Sequence, residues 1–282
     1  MQDKLCVITG ASSGIGLAAA EALARQGARL ALVGRDAART EAALAQLRSR
    51  IPGIRAAVHL ADLSRLAEMR RLARELAAAY RAIDVLVNNA GALFQRRSLT
   101  EDRIERTFAL NHMAYFVLTQ ELRERLAAAP GARVVSVASR AHQGAVLDFD
   151  DLNLERGYSG WKAYQRSKLA NILFTRELSR RLAGTGITAN CLHPGFVASR
   201  FGDNNRGLFG WGIGVAKRLS ARTPEKGAET VVYLASAPEL RGSTGAYFYD
   251  LRAATPSSAA RDDEVARRLW EASERLASGT SP

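Results

Sequence analysis

A tyrosine and a lysine, Tyr164 and Lys168, lie four positions apart in a stretch of helical periodicity. In a helix this spacing places both side chains on one face, one turn apart. A free tyrosine has a pKa near ~10 and is a weak base at neutral pH. An ammonium ~4 Å away would favour the phenolate by about 4 kcal/mol at an effective dielectric of ~20, or roughly three pKa units. The pair could therefore act as an acid–base catalyst near pH 7. The alternative is that the two side chains only pack against each other at the protein surface.

A glycine-rich turn, residues 9–16, lies between a short apolar run and a stretch of helical period near the start of the chain. Its glycines allow a tight turn and let a diphosphate approach the backbone closely. The N–H groups and the positive end of the following helix then stabilise the anion. We therefore predict a dinucleotide site rather than a purely structural turn, with the cofactor-binding residues Gly10, Ser12, Ser13, Gly14, Ile15 and Gly16.

The residues after the second predicted strand indicate which dinucleotide is bound. An NAD site usually carries Asp or Glu about 20 residues after the glycine turn, where it binds the adenosine ribose. Here the strand ends in Gly34, and Arg35 follows at once. A guanidinium binds a 2′-phosphate through charge-assisted hydrogen bonds, whereas a carboxylate would repel it, so NADP(H) is favoured over NAD(H). The alternative is that Arg35 is one more exposed arginine, and Asp36 beside it argues mildly against a phosphate site.

Short apolar runs alternate with longer segments of helical period along the chain, a pattern typical of βαβ units and a parallel sheet. Strands are predicted at 5–9, 29–33, 54–59, 85–88, 133–138, 188–192 and 246–249. Helices are predicted at 14–26, 36–50, 64–80, 101–128, 160–183, 224–236 and 260–277. We predict the fold class α/β, as a single Rossmann-type doubly wound domain over 1–282 with a seven-stranded, mostly parallel sheet flanked by helices.

One segment, 195–223, interrupts this alternation. It carries several glycines together with Phe201, Phe209 and Trp211, and a loop of that length in a compact domain is usually a lid or a binding loop. We predict a substrate lid there and a C-terminal extension over 250–282. The basic, amphipathic part at 208–219 could instead be an oligomer contact or a membrane-surface patch.

The composition excludes several classes of protein. Of the 282 residues, 47% are hydrophobic and 24% charged, which is typical of a folded domain and not of a disordered chain. The net charge is +12, but the 40 basic residues include only five lysines and are spread along the chain, unlike a nucleic-acid footprint. No apolar run approaches the ~18–20 residues that span a bilayer. We expect neither a nucleic-acid partner nor a transmembrane segment.

The cysteines and histidines indicate neither a disulfide framework nor a metal site. Cys6 and Cys191 lie in separate apolar strand-like runs, typical of buried thiols in a reducing compartment. The four histidines show no metal-ligand spacing, and the first residues do not have the pattern of a secretory signal. We predict no metal and a cytoplasmic location. His142 and Gln143 are candidates for the substrate entrance.

Further motifs follow one another in a fixed order along the chain. They are Asn88-Asn89-Ala90-Gly91 after the fourth predicted strand, Asn111 in the next helix, Ser139 after the fifth strand and Pro194-Gly195 after the sixth. Together with the glycine turn, Tyr164 and Lys168, they resemble the short-chain dehydrogenases/reductases over nearly the whole chain. Segments 158–161, 167–175 and 193–195, and the strand and turn at 245–257, are similar to the retinol dehydrogenase and WW-domain oxidoreductase branch.

The resemblance implies catalytic roles for four residues. Tyr164 would protonate the carbonyl oxygen in reduction and act as the base in the reverse direction, and Ser139 would donate a hydrogen bond to the same oxygen. Lys168 would lower the pKa of Tyr164 and bind the nicotinamide ribose, and Asn111 would anchor the water chain that resupplies the proton. Ser136 is an alternative to Ser139, and Asn111 could instead be a structural, helix-bending residue.

The resemblance also implies the remaining cofactor contacts. The adenine would contact Asp62 and Leu63, and the ribose side would be bordered by Asn89, Ala90 and Gly91. The carboxamide would be held by Pro194, Val197 and Ser199.

The chain departs from many family members in the separation of Ser139 and Tyr164, which are 25 positions apart. The extra segment, roughly 140–162, resembles the insertion of the retinol dehydrogenase branch and is expected to border the substrate mouth without disturbing the pair. Eukaryotic retinol enzymes often begin with a membrane anchor that the first residues here do not resemble. A membrane-dissolved retinoid is therefore not the expected substrate.

These residues lead to one expected function and two alternatives. We expect an NADP(H)-dependent oxidoreductase that interconverts a hydrophobic or aromatic carbonyl compound and its alcohol by hydride transfer. A same-fold enzyme could instead reduce a C=C bond or act on a lipid or sugar. A catalytically silent dinucleotide-sensing scaffold is a third possibility, although it predicts the loss of the tyrosine, lysine or serine. The family resemblance favours a homodimer or homotetramer.

Overall fold

A computed structural model describes residues 1–197 and 222–279. The segment 208–219 lies outside the described residues, as does most of the lid predicted at 195–223. Strands of the described ranges form a single sheet in the order β3-β2-β1-β4-β5-β6-β7-β8, parallel up to β7. The strands are β1 (Leu5–Thr9), β2 (Arg29–Gly34), β3 (Ala56–Leu60), β4 (Val85–Asn88), β5 (Arg133–Val137), β6 (Thr188–His193), β7 (Tyr247–Tyr249) and β8 (Arg252–Ala254).

The predicted fold class is confirmed, but the predicted number of seven strands is one too few for the described residues. The missing strand is β8, which pairs antiparallel with β7. Asp250 and Leu251 connect the two strands with φ angles of 47° and 63°, as in the two-residue turns of β-hairpins. Those turns usually contain Asn or Gly, and a short Arg-Ala-Ala strand has no β-branched residue. The sequence therefore gives little indication of this hairpin.

Helices cover both faces of the sheet. One face packs against α1, α2 and α8, and the other against α3, α5 and α7, while α9 packs on the outside of α7. Within the described residues, the helices are α1 (Gly14–Arg25), α2 (Ala37–Arg50), α3 (Leu66–Ala79), α4 (Arg106–Phe108), α5 (Ala114–Glu121), α6 (Arg123–Ala127), α7 (Gly160–Arg181), α8 (Pro224–Ser236) and α9 (Asp263–Ser278). None of the helices within the described ranges combines the length and apolar character needed to cross a membrane.

The prediction of one continuous helix over 101–128 is wrong. Glu105 caps the short α4 through its carboxylate, which accepts hydrogen bonds from the N–H groups of Thr107 (2.9 Å) and Phe108 (2.8 Å), and the residues before it are not helical. A π-helical turn, Ala109–Met113, then separates α4 from α5. Hydrophobic periodicity cannot reveal one extra residue in a single turn, and such turns are frequent at functional sites.

The order of the strands reverses between β1 and β4, which lie side by side at the middle of the sheet. The chain continues from β1 toward β2 and β3 on one side, and from β4 toward β5 and β6 on the other. A crevice therefore opens between the loops at the carboxyl ends of the strands, where doubly wound sheets bind their ligands.

Candidate active site

One cavity at this carboxyl edge brings together nearly all the residues singled out in the sequence. Asn111 does not line it, and Ser199 lies outside the described residues. The predicted residues that line it are Gly10, Ser12, Ser13, Gly14, Ile15, Gly16, Arg35, Asp62, Leu63, Asn89, Ala90, Gly91, Ser139, Tyr164, Lys168, Pro194 and Val197.

The glycine turn joins β1 to α1 and contacts the loop after β4. Gly10 and Gly14 have φ angles of 67° and 58°, a region that favours glycine. A Cβ on Gly16 would lie 2.4 Å from the carbonyl oxygen of Gly10, so any larger residue would displace the turn. Ser13 precedes α1 without a side-chain capping bond, and the first turn of α1 has no acidic residue. Its N–H groups are therefore available to an anion in the cavity.

Thr9, which was not predicted as a site residue, links the turn to the loop after β4. Its hydroxyl accepts hydrogen bonds from the N–H groups of Asn89 (2.9 Å) and Ala90 (3.0 Å) and donates to the Val87 carbonyl (3.2 Å). The Asn89 side chain in turn donates to the Thr9 carbonyl (2.7 Å). These contacts join the glycine turn after β1 to the loop after β4, at the point where the strand order reverses.

Two arginines, not one, line the end of the cavity beyond β2. Arg39, in the first turn of α2 and four positions after Arg35, lines it as well, and a second arginine so close to the end of β2 was a signal in the sequence that was missed. The Asp36 carboxylate is turned toward its own helix, where it caps α2 by accepting from the Arg39 N–H (3.0 Å). A Cβ on Gly34 would lie 2.1 Å from the Thr40 hydroxyl, so an acidic side chain does not fit there without rearrangement.

Asp62 lies in the same part of the cavity, after β3. Burial alone would raise the pKa of its carboxyl, but hydrogen bonds from the Ser64 hydroxyl and N–H outweigh it, and the pKa is lowered. The charges of Arg35 and Arg106 act in the same direction. The carboxylate is therefore already bonded within its own turn and faces a positive neighbour at Arg35.

Ser139 and Tyr164 meet at the wall of the cavity, although 25 positions separate them. Burial raises the pKa of the Tyr164 phenol, and the neighbouring Ser139 side chain acts in the opposite direction. The Ser139 hydroxyl oxygen accepts from the Ala141 N–H (3.1 Å), which leaves its own proton free to be donated. Ser136, the alternative candidate, is buried in β5 and does not line the cavity. Only Ser139 of the two serines can face a ligand there.

Lys168 lies beneath Tyr164 and is 4% exposed. Its ammonium donates a hydrogen bond to the Val137 carbonyl (2.9 Å) and lies 5.6 Å from the centroid of the Tyr164 ring. Burial raises the pKa of Tyr164 to about 12 and lowers the pKa of Lys168 to about 7. The sequence predicted that Lys168 would lower the pKa of Tyr164, but in this structure the pKa of Tyr164 is raised. Burial opposes both charged forms, and it leaves the lysine only partly charged near neutral pH.

Asn111 lies behind this pair, in the π-helical turn. Its side chain accepts from the Ala92 N–H (2.8 Å) and donates to the Ala92 carbonyl and the Ser167 hydroxyl (both 2.9 Å). The Ser167 hydroxyl donates to the Tyr164 carbonyl (2.7 Å). The asparagine thus ties the loop after β4 to the turn of α7 that carries Tyr164. Its role in proton supply stays a prediction.

The loop after β6 also lines the cavity. Gly195 has a φ of 84°, and a Cβ there would lie 2.6 Å from the Arg222 side chain. Val197 and Arg222 are partners in an isolated parallel bridge, and Arg222 forms an ion pair with Asp250. The described ends of the predicted lid are therefore held together and attached to the C-terminal extension.

An apolar surface lies beside Tyr164 at the cavity. Trp161, one helical turn before Tyr164, is 48% exposed, and the two rings are 5.9 Å apart. The loop that carries Phe94 is held in place because the Tyr158 hydroxyl donates to the Phe94 carbonyl (2.7 Å). Of the extra segment 140–162, only Trp161 lines the cavity within the part of the chain that the structure describes. The apolar or aromatic side chains of this surface are Phe94, Leu110, Trp161 and Phe196.

The suggestion that His142 lines the substrate entrance is wrong. Its side chain is 1% exposed, because the ring packs edge-on against Tyr247 (5.4 Å between ring centroids) and bonds to two backbone groups. Gln143 does not line the cavity either.

The fold, the cavity and this set of side chains define a dinucleotide-dependent oxidoreductase, and the comparison with known families agrees. The family model described as "short chain dehydrogenase" matches residues 4–207. The chain therefore belongs to the short-chain dehydrogenase/reductase family, whose members bind a nicotinamide dinucleotide and act on alcohol or carbonyl groups of small molecules.

Its similarity to known proteins places it in the retinol dehydrogenase-like branch. It is 40% identical to human retinol dehydrogenase 14 (97% of this chain, 86% of the relative). It is 38% identical to mouse polyprenol dehydrogenase (97% and 83%).

Two solved structures share the fold over nearly the whole chain. One is an uncharacterized protein from Mycobacterium paratuberculosis, with a TM-score of 0.78 and 33% identity (100% of this chain, 96% of that chain). The other is a short-chain dehydrogenase from Burkholderia cenocepacia in complex with NADP, with a TM-score of 0.70 and 29% identity (93% and 99%).

Proposed function

We propose that this protein is an NADP(H)-dependent oxidoreductase that interconverts a hydrophobic or aromatic carbonyl compound and its alcohol, with Tyr164 as acid and base. The observation that carries the proposal is that Ser139, Tyr164 and Lys168 line one wall of the same cavity, with the Lys168 ammonium 5.6 Å from the centroid of the Tyr164 ring. A panel of aldehydes, ketones and alcohols, followed by the absorbance of the reduced nicotinamide with each cofactor, tests it. The proposal would be contradicted if none of these compounds were turned over with either cofactor.

The residues of the cavity fit a dinucleotide that carries an additional phosphate. The uncapped N–H groups at the start of α1 suit the diphosphate, and Arg35 and Arg39 suit a 2′-phosphate at the end beyond β2. A relative of known structure was solved with NADP, which supports the same choice. When bound, the nicotinamide supplies the hydride in reduction and accepts it in oxidation.

The protein's own residues would supply the proton and orient the substrate. In reduction, the Tyr164 phenol donates its proton to the carbonyl oxygen, and the Ser139 hydroxyl donates a hydrogen bond to that oxygen. In oxidation, the Tyr164 phenolate takes the proton of the alcohol. When it is protonated, the Lys168 ammonium, held by the Val137 carbonyl, stabilises the phenolate by its charge.

We expect the rates of the two directions to depend on pH with opposite signs. The pKa of Tyr164 is raised to about 12, so the phenol that reduction needs predominates at neutral pH, whereas the phenolate that oxidation needs is scarce and increases with pH. Lys168, whose pKa is lowered to about 7, loses its charge over the same range and so opposes part of this increase. We therefore expect kcat for alcohol oxidation to rise only about tenfold from pH 6 to pH 9, and kcat for carbonyl reduction not to rise. Initial rates at saturating substrate measure both. Faster oxidation at pH 6 than at pH 9 would contradict this assignment.

The apolar surface beside Tyr164 supports a flat, hydrophobic substrate, and Trp161 is the residue that tests it. We expect Trp161→Ala to raise KM for an aromatic aldehyde about tenfold, because the substrate loses an aromatic contact and the burial of its apolar surface. KM for a short aliphatic aldehyde should change less than about threefold. Trp161→Phe is the matched control, which keeps an aromatic ring and most of the affinity. Equal changes for both aldehydes would show that Trp161 does not select the substrate.

The substrate lid at 195–223, the homodimer or homotetramer and the cytoplasmic location stay predictions. The lid is supported by its described end, where Phe196 and Val197 line the cavity. The reducing location is supported by Cys6 and Cys191, which are both buried as free thiols.

A further inference from the structure

His142 connects the proposed catalytic serine to the C-terminal extension. It lies in the 3₁₀ turn Arg140–His142 that follows Ser139. Its Nδ1 lies 2.7 Å from the Ser139 carbonyl oxygen, and its Nε2 lies 3.1 Å from the Ser257 backbone nitrogen. The side chain is buried and does not line the cavity, so the ring contacts neither cofactor nor substrate there.

The two partners determine which nitrogen of the His142 ring carries the proton. A backbone N–H can only donate, so Nε2 must be the acceptor for Ser257, and Nδ1–H donates to the Ser139 carbonyl. Burial lowers the pKa of His142, although its bond to Ser139 opposes this, and the ring is neutral at pH 7. The charged or titratable neighbours are Arg140 on the same turn, His193 at the end of β6 and Tyr247 on β7.

The segment that begins at Ser257 leads into α9, which packs against the helix that carries Tyr164 and Lys168. Asp263, the first residue of α9, forms ion pairs with Arg176 and Arg180 of α7 (both 2.6 Å). Farther along, Trp270 stacks on Phe174 of α7 (5.9 Å between ring centroids). The C-terminal extension is therefore attached to α7 directly, and to the turn of Ser139 through the His142 ring.

We propose that His142 is a positioning residue that holds Ser139 against Tyr164 by bridging the Ser139 carbonyl and the Ser257 N–H. This inference rests on the proposed catalytic role of Ser139. It makes the C-terminal extension part of the support of the active site, since the turn after β5 and the helix α7 are then fastened to the same segment.

The test compares kcat with KM and cofactor binding in His142→Phe, which keeps an aromatic ring against Tyr247 but loses both hydrogen bonds. We expect kcat for carbonyl reduction to fall about tenfold or more, while KM and the dissociation constant of NADPH change less than about threefold. His142→Asn, whose amide can still donate to Ser139, and His142→Gln, whose amide can still accept from Ser257, should lie between wild type and His142→Phe. Ser258→Ala is the matched control, because Ser258 follows Ser257 directly but does not bond to His142. It should keep the wild-type kcat.

A double-mutant cycle with Ser139→Ala separates positioning from general support of the fold. If His142 acts through Ser139, adding His142→Phe to Ser139→Ala causes little further loss of the residual kcat. The inference would be overturned if the fold loss of kcat in the double variant equalled the product of the two single losses. A wild-type kcat in His142→Phe would overturn it as well. If His142→Phe does not fold, wild-type kcat in both the Asn and Gln variants overturns it equally. Full activity of Ser139→Ala alone would instead refute the proposed function.

Discussion

Tyr164→Phe should nearly abolish turnover while leaving the protein able to bind its cofactor. Removal of a general acid costs about 10²–10⁴-fold in rate, and we expect a loss of kcat of roughly 10³-fold or more, because the phenol is the proposed proton donor at the cavity wall. The dissociation constant of NADPH should rise less than about tenfold, the effect of one lost hydrogen bond. Stopped-flow or steady-state reduction gives kcat, and quenching of protein fluorescence gives the dissociation constant.

Tyr115→Phe is the matched control for this loss. The Tyr115 ring lies 5.8 Å from the Lys168 ammonium, almost as close as the Tyr164 ring at 5.6 Å, but Tyr115 is 1% exposed and does not line the cavity. Its hydroxyl makes one long hydrogen bond, to the Val137 carbonyl (3.4 Å). We expect Tyr115→Phe to keep most of the activity. Similar losses in both variants would mean that Lys168 and its surroundings, not the Tyr164 proton, limit the reaction.

Most of the sheet could be predicted because parallel strands between helices have a distinct pattern. Strands β1 and β4 agree residue by residue with the prediction, and the other parallel strands differ by one or two residues at one end or, for β3, at both ends. The prediction was wrong where a local hydrogen bond or turn determines the path of the chain and the hydrophobic pattern does not. The non-glycine turn at Asp250 and Leu251 before β8 and the cap at Glu105 before α4 are such places.

The positions around the cavity could be predicted better than their electrostatics. A helical spacing of four residues placed Tyr164 and Lys168 on one face correctly, since helix geometry is regular. The pKa of Lys168 could not be predicted, because it depends on burial by side chains from distant parts of the sequence. The hydrogen bond of His142 to the Ser257 N–H could not be predicted either, because the two residues are 115 positions apart in the sequence. Contacts over such separations leave no periodic signal in the chain.

Arg35→Asp should change the cofactor preference by a large factor. Charge-assisted hydrogen bonds to a phosphate contribute about 1.5–3 kcal/mol, and each 1.4 kcal/mol corresponds to tenfold in affinity. Since the variant also introduces a carboxylate that repels the 2′-phosphate, we expect KM for NADPH to rise about 100-fold or more. KM for NADH should change less than about threefold or improve, because a carboxylate can accept hydrogen bonds from the ribose hydroxyls. Steady-state rates with each cofactor at fixed substrate measure the ratio.

Arg39 and Arg48 separate a specific contact from the general effect of charge. Arg39 lines the cavity but also pairs with the Asp36 carboxylate (3.4 Å), so Arg39→Asp should raise KM for NADPH by a smaller factor than Arg35→Asp. Arg48 lies in the last turn of the same helix, away from the cavity, and Arg48→Asp makes the same change in net charge. We expect it to leave both values of KM within about twofold. If Arg48→Asp weakened NADPH as much as Arg35→Asp, the overall positive field of the protein, and not a phosphate contact at Arg35, would determine the preference.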